Sequence, residues 1–145
     1  MRRLIVAGAL GVVGVLASGV PAHAASADHA SPRIQGAACW QKVSARISIK
    51  KTSKKWRDVK AQVWVADPKL CKGKTITIWL EYKRTASGNW FKAQKPIKVK
   101  VAASRRLYEA GAAAYAFPCG QYVHTAYKLD GTTWVGKDYK ICKGN

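Results

Sequence analysis

Two of the four cysteines, Cys119 and Cys142, bracket the stretch CGQYVHTAYKLDGTTWVGKDYKIC, which carries an Asp-Gly pair at its centre. No other feature limits the fold so strongly. A two-residue Asp130-Gly131 loop suits a type I′ turn, whose twist matches that of a β-hairpin. Pairing Leu129 with Thr132 then sets a register in which Cys119 falls opposite Cys142. The same register places Tyr122 opposite Tyr139, Ala126 opposite Val135 and His124 beside Lys137, on the face assigned to the core with Ile141. Thr125 with Gly136, Val123 with Asp138 and Tyr127 with Trp134 fall on the other face. The count puts the cysteines at a hydrogen-bonded pair, an awkward place for a bridge, so a slip near the hairpin end is expected.

The other two cysteines repeat the pattern. Cys39 and Cys71 are symmetric about Lys55 within KTSKKW. Upstream, Val43, Ala45, Ile47 and Ile49 alternate with polar residues. Downstream, Val59, Ala61, Val63 and Val65 alternate with Lys60, Gln62 and Trp64. Alternation this long marks strands. Four cysteines allow three connectivities, and the two symmetries select Cys39–Cys71 and Cys119–Cys142. The alternative use of four thiols, a zinc site, lacks any C-x-x-C pair. No metal or cofactor is expected.

Further strands follow. TITIWLEYKR (75–84) alternates Ile76, Ile78, Leu80 and Tyr82 against Thr77, Trp79, Glu81 and Lys83. In WFKAQKPIKVKVA, Ile97, Val99 and Val101 alternate with Lys98 and Lys100, and Pro96 indicates an edge strand or a bulge. RRLYEAGAAAYAF (105–117) reads as a strand, since it has no apolar helical stripe and Gly111 interrupts its alanines. About seven short strands in one domain predict an all-β chain, an immunoglobulin-like β-sandwich with two hairpin-closing disulfides. A closed β-barrel is the alternative.

The chain opens MRRLIVAGALGVVGVLASGVPAHA: two arginines, an apolar run, then a small-x-small site. That is the pattern of a cleaved export signal at 1–24, too short in its uncharged run for a comfortable membrane span. A small, polar lead-in follows at 25–37, and the single sandwich domain occupies 38–145. Export would deliver the cysteines to an oxidising space, secreted or at the cell wall. No transmembrane segment is expected in the mature form. Of the 26 basic side chains, removing Arg2 and Arg3 leaves 24 against 7 acidic ones, a net charge of +17.

PCGQY, at 118–122, resembles the tyrosine corner of immunoglobulin- and fibronectin-type domains, with Tyr122 as the corner residue. His124 stands where the antibody pattern has a cysteine. The mature chain as a whole resembles small, signal-bearing, four-cysteine secreted proteins of actinobacteria. That resemblance implies a secreted sandwich and assigns no site residue.

Catalytic patterns are sparse. The domain holds one histidine, His124, and two glutamates, Glu81 and Glu109, with no G-x-S-x-G, H-E-x-x-H or phosphate-cradling loop. A non-catalytic role is expected. The strong signal is charge: KVSARISIKKTSKKWRDVK (42–60) holds eight basic residues and one acid. On alternating strands Lys42, Arg46, Lys50 and Lys60 form a row on the non-core face, with Trp64 and Trp79 in the same phase. Cations with exposed aromatic rings suit an anionic polymer such as cell wall, nucleic acid or acidic glycan. The rival expectation is a secreted effector, antimicrobial or enzyme inhibitor acting on a protein or membrane target.

Overall fold

The computed structural model of the protein describes residues 37–143; the expected signal at 1–24 and the expected lead-in, save its last residue, lie outside the described residues. A short 3-10 turn, Cys39–Lys42, leads into ten strands. These are β1 (Val43–Lys51), β2 (Trp56–Val65), β3 (Thr75–Lys83), β4 (Phe91–Lys92), β5 (Ile97–Lys100), β6 (Leu107–Glu109), β7 (Tyr115–Pro118), β8 (Tyr122–Leu129), β9 (Thr132–Val135) and β10 (Tyr139–Lys140). All pairings are antiparallel.

Three of the expected strands are present as interrupted halves. β4 and β5 share one edge of β3, β6 and β7 share one edge of β2, and β9 and β10 share one edge of β8. Counting each interrupted pair once reduces the ten strands to the expected seven. Extra residues in each interruption form bulges, which let an edge strand bend without losing its partner. Pro96 lies in the break between β4 and β5, where its missing N–H costs no ladder bond.

The first sheet is ordered β1, β2, β6/β7, and the second β9/β10, β8, β3, β4/β5. Lettered in chain order, that is A-B-E against G-F-C, with the fourth strand on the C edge. It is the division of an immunoglobulin-like sandwich. Between the sheets lie Val59, Val63 and Val65 of β2, Ile76, Ile78 and Leu80 of β3, and Val123 and Leu129 of β8. On β2 and β3 these are the residues that the alternation marks. Each buried aliphatic side chain contributes about 1.5–3 kcal/mol of transfer free energy.

Both disulfides pair as expected, Cys39 with Cys71 and Cys119 with Cys142, each with Cα atoms 5.0 Å apart. The symmetry of the first about Lys55 does not hold. The β1–β2 register runs from Lys51↔Arg57 to Val43↔Val65, so it centres on Lys54 rather than Lys55. Neither Cys39 nor Cys71 belongs to the ladder. Cys39 sits in the 3-10 turn, which rises about 2.0 Å per residue against about 3.4 Å in a strand. That compaction lets the loop after β2 bring Cys71 back to meet it.

The second hairpin holds the expected register at first. Asp130 (φ 49°) and Gly131 (φ 84°) are both left-handed, as a type I′ turn requires, and Leu129↔Thr132 continues to Ala126↔Val135. Then the register shifts by one. Val123 pairs with Tyr139, and Tyr122 with Lys140, instead of Asp138 and Tyr139. The extra residue brings Asp138, not Lys137, to His124.

The inward face of this hairpin is also the reverse of that expected. Val123, Tyr127 and Leu129 join the core, and Trp134 packs against it. The phase with Tyr122, His124 and Ala126 faces outward from the sandwich, although His124 and Ala126 are buried by other elements. Being covered on both sides, β8 gives no polar phase from which the inward one could be read.

Tyr122 does not act as a corner. Its ring lies between Lys83 and Lys140, with the ammonium groups 5.4 and 5.8 Å from its centre. Tyr108 of β6 does that work instead. Its hydroxyl donates to the Arg105 carbonyl at 3.0 Å and accepts from the Ala102 N–H at 2.8 Å, pinning the preceding turn.

The two long edges of the sandwich differ. Along β1 it is closed: the Tyr127 hydroxyl donates to the Val43 carbonyl at 3.1 Å, and the Thr125 hydroxyl to that of Arg46. A Cβ on Gly136 would stand 2.7 Å from the Ala45 Cβ, so only glycine permits this approach. Along β7 and β4 the sheets part, leaving a groove between Trp56, Tyr115 and Phe117 on one side and Tyr82 on the other.

Candidate functional site

The outer face of the first sheet carries most of the expected basic row. Arg46 and Lys50 are exposed on β1, Lys60 is half-buried on β2, and Lys42 is half-buried in the 3-10 turn ahead of β1. Trp64 lies beside Arg46, whose guanidinium sits 4.5 Å above the indole centre. Acids interleave the row. Lys50 pairs across the ladder with Asp58, and Lys60 lies 3.6 Å from Glu109, which also accepts from Gln62 at 2.7 Å. Alternation reveals which residues share a face within a hairpin, but Glu109 arrives from a distant strand.

Trp79 is not part of this row. It lies on β3, in the second sheet, and faces out from the opposite side of the sandwich. Its side chain is 7% exposed, and its Nε1 donates to Glu81 Oε1 at 2.6 Å.

The outer face around Trp79 is the more concentrated basic surface. The pairings Thr77↔Lys98, Thr77↔Lys128, Glu81↔Lys92 and Tyr122↔Lys140 bring four exposed lysines onto one face. Among the described residues, none of the four makes an ion pair. Lys92 and Lys140 border the rings Trp79 and Tyr122, while Lys98 and Lys128 flank Thr77 further along the face. The Lys92 ammonium lies 5.3 Å from the Trp79 ring centre, and that of Lys140 near Tyr122.

The acids of this face are engaged by one imidazole. His124, 3% exposed, holds Glu81 Oε2 on Nε2 and Asp138 Oδ1 on Nδ1, both at 2.9 Å. Trp90 covers the ring, with centroids 3.7 Å apart. Lys83 lies 4.5 Å above Trp90 and 3.6 Å from Asp138 Oδ2. The network therefore fixes Trp79 through Glu81, Trp90 through stacking, and Lys83 through Asp138. Covered in this way, the imidazole serves to hold the face in place.

Alternation and charge runs in the sequence assign none of Lys92, Lys98, Lys128 and Lys140 to a site. A signal existed for Lys98, which alternates against Ile97 and Val99. For Lys128 the signal pointed the wrong way because the hairpin faces were reversed. Trp90 lies in a connection, where periodicity says nothing. In comparison with known proteins, no family model and no curated protein sequence matches the chain.

Proposed function

We propose that this is an exported, basic, non-catalytic binding domain for anionic extracellular polymers, and that the outer face of the second sheet makes the contact. The observation that carries this reading is an imbalance. Glu81 and Asp138 are engaged with His124, while Lys92 and Lys140 stand exposed beside Trp79 and Tyr122, and Lys98 and Lys128 stand exposed further along the face beside Thr77. Free cations next to partly exposed rings offer a polyanion both charge contacts and stacking. A chain whose 26 basic residues oppose 7 acidic ones adds long-range attraction.

The export half of the proposal rests on the n-region, apolar run and AHA site. Two disulfides support it, because such bonds persist in oxidising compartments. Among the described residues no helix is long and apolar enough to cross a membrane. Sequencing the protein recovered from culture medium should find Ala25, within two residues, at its N-terminus.

Salt dependence tests the binding half. Four phosphate contacts to a duplex-like polyanion predict a log–log slope of affinity against salt of about −3 to −4. Replacing Lys92, Lys98, Lys128 and Lys140 together by glutamine should flatten that slope. The thermal midpoint should barely move, since exposed charges stabilise little. Salt-independent binding, or none to wall polymer, nucleic acid or acidic glycan at low salt, would transfer the protein to the effector and inhibitor class.

A further inference from the structure

The open edge of the sandwich holds a second, smaller site. A cavity of 390 Å³ lies between β7 and the end of β3, lined by Trp56, Tyr115, Phe117, Tyr82 and Arg84 among others. It shares Tyr82 and Arg84 with an adjoining hollow of 260 Å³ that continues past Phe91 and Asn89. The two hollows together make an aromatic groove with one cation in it. We propose that this groove binds a sugar unit bearing a carboxylate, a uronic-acid residue of an acidic glycan chain.

The floor is rigid. The Tyr82 ring packs 5.5 Å from Phe117 and 5.9 Å from Phe91, centre to centre, and Phe117 is itself buried in the core. The rims are exposed. Trp56 is 46% exposed and Phe91 52%, and both are large apolar surfaces that folding leaves in water. An exposed aromatic patch rimmed by polar groups marks a binding surface. Flat rings suit a pyranose, whose C–H face is apolar and whose hydroxyls point outward to side-chain amides such as Gln121 and Asn89.

Arg84 decides the charge of the occupant. Its side chain is exposed and, among the described residues, makes no ion pair. A guanidinium presents a planar fork of donors that matches a carboxylate in bidentate geometry. No acidic side chain lines either hollow, so a carboxylate entering there meets only the cation. A proline-rich peptide would also find aromatic walls. It would leave the arginine without a counter-charge, and the chain's positive excess favours an acidic partner.

This inference narrows the proposed polymer class to glycans but rests on different residues, so the two can fail separately. The test is calorimetric titration with tetragalacturonate, and with cellotetraose as a neutral control, in 0.15 M salt, where the Debye length is about 8 Å. The unaltered protein should prefer the acidic sugar. Arg84→Gln should weaken tetragalacturonate about tenfold, to the level of the neutral sugar, the loss of one charge-assisted contact. Trp56→Ala should weaken both sugars by about tenfold or more, as removal of a stacking face does. Both side chains are exposed, so the variants should keep the thermal midpoint; Phe91→Ala provides a second stacking variant should Trp56→Ala alter it. Arg84→Gln should lower tetragalacturonate affinity by the same factor when Lys92, Lys98, Lys128 and Lys140 are also glutamine, which separates the groove from the lysine face. Equal affinity for both sugars, or insensitivity to Arg84→Gln, would overturn the proposal. So would an acidic proline-rich peptide that binds the groove where tetragalacturonate does not.

Discussion

Trp64 and Trp79 share the outward phase of their strands, yet they meet different fates. Trp64 stays half-exposed under Arg46, a surface cation–π pair worth about 0.5–1 kcal/mol. Trp79 is buried by its neighbours on the outer face and bonded to Glu81. Trp79→Ala should therefore cost about 3–5 kcal/mol in urea denaturation, the range for a buried aromatic. A cost under about 1 kcal/mol would mean that the ring is an exposed platform instead. Tyr127 makes a second residue-scale test. Burial raises its phenol above the ordinary value of 10.0, because the phenolate would lose its water. The unfolded chain ionises first, so the stability that the neutral phenol provides is complete below pH 10.0. It is lost as pH climbs through the higher folded value. The thermal midpoint should fall above that pH, and Tyr127→Phe should remove this component of the fall.

Elements divide by how local their determinants are. The Asp130-Gly131 turn is two residues long, and both residues need positive φ, so sequence alone specifies it and the pairs nearest to it. Three pairs further on, an extra residue intervenes and Asp138 replaces Lys137 beside His124. That exchange puts two carboxylates around one imidazole. No local pattern marks such a bulge. The same is true of the breaks between β4 and β5 and between β6 and β7. The disulfides fall between these extremes, correct in pairing although both lie outside the strand ladders. Each closes a loop whose ends are 32 or 23 residues apart. Replacing either pair by serine should cost about 3–4 kcal/mol in the chain-entropy account. A denaturation midpoint unchanged by removing Cys119 and Cys142 together would show that the hairpin ladder suffices without the bridge.

At the scale of the whole molecule the question is which face carries the charge. Both outer faces are basic, but the first sheet's row is partly neutralised by Glu109, which pairs with Lys60. In the salt experiment, glutamine at Lys42, Arg46, Lys50 and Lys60 should therefore flatten the slope less than the same change at Lys92, Lys98, Lys128 and Lys140. The reverse order would return the binding face to the first sheet. The sequence by itself determined the all-β class, seven strand positions, both disulfides and the large positive excess. Each of these follows from period-2 alternation, a two-residue turn, or simple composition. Only the tertiary structure decided which side of β8 faces the core, which acids sit among which lysines, and where aromatic side chains collect. Those outcomes depend on strands distant in sequence meeting in one sheet, and on the one extra residue between β9 and β10 that changes which side chain meets His124.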